Sequence, residues 1–138
     1  MPARRSAVAV LTLLTGEVLL LRRAPYLRHF PDGDSLPGGK AEEGEDLLTA
    51  LLREVKEETG FEFGPEDTVF LAGETAQASD GTSYDVEVYR IDLVARREPT
   101  LSTEHVGFSW TLPADALASA PLAGPMTRRI LERVAYAA

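Results

Sequence analysis

Gly39-Lys-Ala-Glu-Glu-Gly-Glu45, followed after seven residues by Arg53-Glu-Val-Lys-Glu-Glu-Thr-Gly-Phe61, is the stretch on which the reading of this chain turns. Between and within these segments, Leu48, Leu51, Leu52 and Val55 recur at helical spacing, so Asp46 to about Thr59 is predicted to be a helix. Gly60 follows the last periodic residue and marks the end. Glu54, Glu57 and Glu58 stand at i, i+3 and i+4, on one side of that helix and away from the apolar stripe. Like charges at this spacing repel. Alone, the trio reads as a solvated acidic face. The alternative is a hard divalent cation, which takes oxygen ligands and suits phosphate chemistry.

Working outward, Ser6–Leu14 and Val18–Arg23 are apolar, partly β-branched runs separated by Thr15-Gly16-Glu17, and read as two strands joined by a turn. Ala24–Pro37 contains Pro25, Pro31, Pro37 and Asp32-Gly33 and reads as a loop closed by Gly38-Gly39. Beyond the helix, Thr68–Ala78 and Tyr84–Val94 are strand candidates around a hairpin turn at Ser79–Thr82. His105–Thr111 is another strand candidate, Pro113–Leu117 a short helical turn, and Met126–Tyr136 a final helix with Ile130, Leu131 and Val134 inward. Strands, helix, strands, helix in one chain predict an α/β (α+β) fold, a mixed sheet with helices on its faces.

At 138 residues, 44% hydrophobic and 26% charged, the chain is expected to form one domain, 1–138, with its own core. It has no cysteine, which excludes a disulfide framework and a thiol nucleophile and is compatible with a cytoplasmic location. The net charge of -8 argues against general nucleic-acid binding. The sign is unevenly spread: Arg4, Arg5, Arg22, Arg23, Arg28 and Lys40 make the first third basic, whereas Glu42 to Asp67 is acidic. A site for a metal ion and a polyphosphate needs both signs close together; solvated faces of opposite sign are the plainer reading. Arg4-Arg5 before an apolar run imitates a signal peptide, but no small-residue cleavage site follows. No run is long enough to span a membrane.

Glycine, five residues, glutamate, seven residues, then Arg-Glu-aliphatic-any-Glu-Glu-any-Gly-apolar is matched at every fixed position by Gly39, Glu45, Arg53, Glu54, Val55, Glu57, Glu58, Gly60 and Phe61. This resembles the Nudix hydrolases, of the MutT-like kind, and the element order around the motif resembles theirs over most of the chain. The resemblance implies an α/β/α sandwich and hydrolysis of a nucleoside diphosphate linked to another moiety. It implies Mg²⁺ or Mn²⁺ held at Glu54, Glu57 and Glu58, with the Gly39 carbonyl often included. Pyrophosphate cleavage asks for positioned metals and an in-line water more than for covalent chemistry. Arg53 is expected to pair with a neighbouring carboxylate and orient it. Glu45 is expected to hold the loop or the metal waters, with a favourable helix-dipole position as the plainer role. The resemblance also points to Glu104, in a place where many members carry a further glutamate that contacts a metal or the attacking water. His105 reads as its neighbour rather than a catalyst.

Substrate contacts are expected from Arg23, Arg28, Lys40 and Tyr84. Arg22 and His29 are further candidates for phosphates, and Tyr26, Phe30 and Phe70 for stacking on a base. Trp110 shares strand parity with Val106 and Phe108, which reads as a packed face. Leu19–Arg28 and Leu36–Gly39 resemble the stretch that precedes the motif in coenzyme A pyrophosphatases, with departures at Leu21, Gly33 and Leu36. ADP-ribose pyrophosphatases typically show a proline where this chain has Thr75-Ala76-Gln77. A MutT-type nucleoside triphosphate pyrophosphohydrolase is therefore favoured, acting on a small nucleotide as a monomer or homodimer. A non-catalytic nucleotide sensor is the alternative from another class, though such modules usually have damaged motifs. An isomerase on the same scaffold would call for a cysteine.

Overall fold

Strand β1 (Arg4–Leu13) is apolar on both faces, and this sets the layering. Ala7, Ala9, Leu11 and Leu13 join one core cluster and Val10 joins the other. Strand β2 (Val18–Arg23) divides in the same way, Leu19 and Leu21 against Val18 and Leu20. Strands buried on both sides belong to a sheet covered on both sides. The computed structural model, which describes residues 4–77 and 80–136, has that form. Helix α1 (Leu47–Thr59) covers one face through Leu47, Leu51 and Val55. Helices α2 (Pro113–Ser119) and α3 (Gly124–Ala135) cover the other through Ala116, Ile130 and Leu131.

The remaining strands are β3 (Asp34–Ser35), β4 (Gly38–Lys40), β5 (Thr68–Gln77), β6 (Ser83–Leu93) and β7 (His105–Thr111). The sheet runs β3-β2-β1-β6-β5, with β4 attached to β1 and β7 to β2. It is mixed: β1 and β6 are parallel, in register from Arg4–Tyr84 to Leu13–Leu93, and the other pairs are antiparallel. The second edge of β1 is shared. Thr12 meets Val18 of β2, whereas Ser6, Ala7 and Val8 meet Lys40, Gly39 and Gly38 of β4. That split edge brings the glycines of the motif against the first strand.

Three expectations change. The Ala24–Pro37 loop contains the short strand β3, and Gly38–Lys40 is a strand as well; both are held by pairing, not by intrinsic preference. Trp110 is buried, with its Nε1 donating to the Arg97 carbonyl at 3.1 Å, but Val106 and Phe108 of the same parity are exposed. The buried residues of α1 are Leu47, Ala50, Leu51, Val55, Glu58 and Thr59, with Leu48 and Leu52 only half-buried. Ala78, at the end of a predicted strand, and Ser79, at the start of the predicted hairpin turn, lie outside the described residues.

Candidate active site

Helix α1 begins where the Asp46 side chain accepts from the N–H groups of Leu48 and Thr49, and it ends at Gly60. Its last two turns carry the glutamates, which occupy three different environments. Glu57 leaves 57% of its side chain exposed and Glu54 22%. Glu58 is only 8% exposed, because it lies seven residues past Leu51 and continues the buried face. Its Oε1 accepts the Gly38 N–H at 2.8 Å, which joins α1 to β4. Burial first, then the charges of Glu54 and Glu104, push the Glu58 carboxyl up from its ordinary 4.5 to about 8, against the Gly38 bond and Arg23. Glu54 is also raised, chiefly by burial, with Glu57 and Glu104 adding to it and Arg53 opposing.

Arg53 organises the exposed side of the cluster. Its Nε and Nη2 donate to Glu45 at 2.9 and 3.0 Å, a two-pronged pair. Its Nη1 donates to Glu54 at 3.0 Å and to Glu57 at 3.4 Å, and its Nη2 reaches the Lys40 carbonyl at 3.4 Å. Glu45 also accepts the Glu42 N–H at 2.9 Å, so it closes the loop while anchoring the guanidinium. The bond from Arg53 is the first cause of its lowered pKa. Gly39 lies against Glu54: a Cβ there would be 2.6 Å from the Glu54 Cδ. The absence of a side chain is what lets backbone and carboxylate meet.

Glu104 precedes β7 in the turn facing the cluster. It is exposed, and its charge is felt at Glu54 and Glu58. Its carbonyl accepts the Ala24 N–H at 2.8 Å. His105 is buried, its Nδ1 has no hydrogen-bond partner among the described residues, and burial followed by Arg23 lowers its pKa. Arg23 is half-buried, with its Nε donating to the His29 carbonyl at 2.9 Å. It also lines a cavity of about 230 Å³ with His29, Phe30, Ser35, Met126 and Thr127, so its charge serves both the cavity and the glutamate cluster.

The other expected contacts are less central. Arg28 and Lys40 are exposed. Tyr84 is half-buried at the start of β6, paired with Arg4, two residues from the Ser6 that meets Lys40. Arg22 is committed elsewhere: its Nε donates to Asp34 at 2.5 Å and its Nη2 at 3.2 Å. Phe70 stacks edge-on against Tyr89 on the outer strands. The α3 contribution to the cavity is not evident in the sequence, although Gly33 and Gly124 signal close packing there.

Among the described residues, no three carboxylate or histidine side chains are already gathered into a cage for an ion. Glu54 and Glu57 are bonded to Arg53, whereas Glu58 is bonded to the Gly38 N–H, so the three carboxyl groups have different partners. The donor set nevertheless fits a hard cation: oxygen atoms only, one carboxyl buried, and Glu54 and Glu58 raised first by burial and then by neighbouring carboxylate charges.

A family model for the NUDIX domain matches residues 3–134. The nucleoside triphosphatase NudI of Escherichia fergusonii is 32% identical over 127 residues, covering 81% of this chain and 84% of that protein. The m7GpppN-mRNA hydrolase NUDT17 of Danio rerio is 49% identical over 61 residues, 44% of this chain, and the match spans only 20% of the length of that protein. Among solved structures, the MutT protein from Methanosarcina mazei Go1 superposes with a TM-score of 0.80 at 31% identity, over 96% of this chain and 93% of that one. Nudix hydrolases generally use divalent metals and act on small nucleotide substrates. With the domain matched almost end to end and the MutT fold reproduced, the chain belongs to the Nudix family of hydrolases, which act on phosphoric anhydride bonds.

Proposed function

We propose that this chain is one catalytic domain, a divalent-metal-dependent pyrophosphohydrolase of the MutT type that cleaves a nucleoside triphosphate between phosphates. Water oxygen adds to phosphorus, one P–O–P bridge breaks, and a nucleotide and a phosphate species leave. The observation that carries the reading is Arg23, which lines the 230 Å³ cavity and whose charge reaches Glu58 of the Glu54–Glu57–Glu58 trio. Glu54, Glu57, Glu58 and the Gly39 carbonyl would hold Mg²⁺ or Mn²⁺. The metal supplies neutralisation of phosphate charge and a more acidic water. Arg53 orients Glu54 and Glu57. Glu104, exposed across from Glu54 and Glu58, acts on the attacking water. Arg23 receives phosphate at the cavity mouth, while Arg28, Lys40 and Tyr84 meet the outer parts of the substrate. The volume of the cavity lies below the ~300–1,000 Å³ of typical drug-sized sites, which favours a single nucleoside over the longer coenzyme A. A cytoplasmic place of action, where nucleotides and Mg²⁺ coexist, goes with this reading.

The test is a screen of nucleoside triphosphates, ADP-ribose, coenzyme A and sugar nucleotides with Mg²⁺, repeated with Glu57→Gln and Glu58→Gln. Hydrolysis of at least one triphosphate is expected. Each variant should lower kcat by at least ~10²-fold, the scale of losing one electrostatic stabiliser. Tight binding of a nucleotide without release of phosphate or pyrophosphate would identify a sensor instead. Full activity in both variants would remove the metal-site assignment.

A further inference from the structure

The loop that lines the cavity also grips the turn that carries Glu104. Tyr26 is 67% exposed, so it contributes little to the core. Its hydroxyl nevertheless donates to the Thr103 carbonyl, 77 positions along the chain. One residue on, the Glu104 carbonyl accepts the Ala24 N–H at 2.8 Å, and the Glu104 N–H donates to the Ser102 Oγ at 3.3 Å. The His105 N–H closes the turn on the Ser102 carbonyl at 3.3 Å. The other side of the same loop is tied at Arg23, whose N–H donates to the Gly33 carbonyl at 2.8 Å and whose carbonyl accepts the Asp32 N–H at 3.1 Å. Arg23 is a wall of the cavity. One short segment, Arg23 to Tyr26, therefore touches both the nucleoside cavity and the backbone of Glu104.

We propose that Tyr26 is a positioning residue for the reaction: its hydroxyl holds the Thr103–Glu104 backbone so that the Glu104 carboxylate stays directed at the Glu54–Glu58 cluster. This rests on the role given to Glu104 above. Glu104 itself is exposed, so its side chain is free to swing, and its aim depends on the backbone that carries it. A displacement of about 1 Å in a catalytic group is enough to cost up to ~10²-fold in rate. A tether from the cavity loop also means that a nucleoside leaning on Arg23 steadies the turn.

Tyr26→Phe removes the hydroxyl and keeps the exposed ring. The wild type, Tyr26→Phe, Glu104→Gln and the double variant are assayed on the common ribo- and deoxyribonucleoside triphosphates with Mg²⁺. Amide hydrogen exchange is followed in the metal-free proteins. Tyr26→Phe should lower kcat about 10-fold with KM within about twofold, leave the melting temperature unchanged, and speed exchange at the Glu104 and His105 amides. In the Glu104→Gln background it should have no further effect on kcat, because the two residues act as one unit. The same fold-loss in both backgrounds, or unchanged exchange at the turn, overturns the role of Tyr26 alone. Glu104→Gln at wild-type kcat, or no triphosphate hydrolysed by the wild type, overturns the reading of the site and the tether with it.

Discussion

Glu58 is the residue whose environment departs furthest from that of a surface carboxylate. It keeps its proton in the folded chain up to about pH 8, whereas an ordinary glutamate loses it near 4.5. Between those values the folded state binds the extra proton, so stability falls as the pH rises through the window. The contribution of Glu58 is fully present below 4.5 and is lost on passing about 8. Thermal melts of the metal-free protein across that window should show a declining melting temperature. Glu58→Gln, which mimics the protonated form and still accepts from Gly38, should flatten the decline and be the more stable of the two at the alkaline end. Parallel profiles for the two proteins would show that the carboxyl of Glu58 is ionised in the fold after all.

At the scale of elements, the contact between β4 and α1 is where strand and helix share the site. Two adjacent glycines do different jobs there. A Cβ on Gly38 would be 2.2 Å from the Ala7 carbonyl oxygen, a backbone atom that cannot retreat, and the φ of +153° adds strain. A Cβ on Gly39 would meet the Glu54 carboxyl, the end of a flexible side chain. Gly38→Ala should therefore destabilise the fold by roughly 1–3 kcal/mol in denaturant unfolding. Gly39→Ala should leave unfolding nearly unchanged and lower kcat about 10-fold or more by moving Glu54. The reverse pattern would misplace the division of labour. Helix α1 itself was legible in the sequence, because Leu51, Val55 and Gly60 carry its period and its end. Strands β3 and β4 were not, because two or three residues rich in Asp and Gly become strands only when a neighbour pairs with them. The motif identified the glutamates but not their inequality. The burial of Glu58 follows from its place seven residues after Leu51, a position that matters only once β4 is known to lie beside it. The cavity was hidden for a similar reason, since Val8, Leu36 and Ile130 come from distant parts of the chain.

Across the whole molecule, the net charge of -8 includes a local surplus where Glu104 acts on Glu54 and Glu58 of α1. Folding without a cation brings Glu54, Glu58 and Glu104 within reach of one another's charge. An ion that binds only the folded state stabilises it by mass action, about 2.7 kcal/mol at a hundredfold excess over its Kd. Added Mg²⁺ or Mn²⁺ should thus raise the melting temperature of the wild type in a concentration-dependent way. The increase should shrink in Glu54→Gln and vanish when Glu58→Gln is added. An equal increase in that double variant would place the ion elsewhere. The parallel pairing of β1 with β6 has a consequence for how the chain is made. Each partner lies 80 positions further along, Arg4 with Tyr84 and Leu13 with Leu93. A ribosome releasing the chain from its N-terminus presents the first strand, with apolar side chains on both faces, long before its central neighbour exists. Until β6 emerges, that edge is an open template for the wrong strand. Pairing across so long a separation is expected to be slow, and chaperone dependence should track the delay between the two strands.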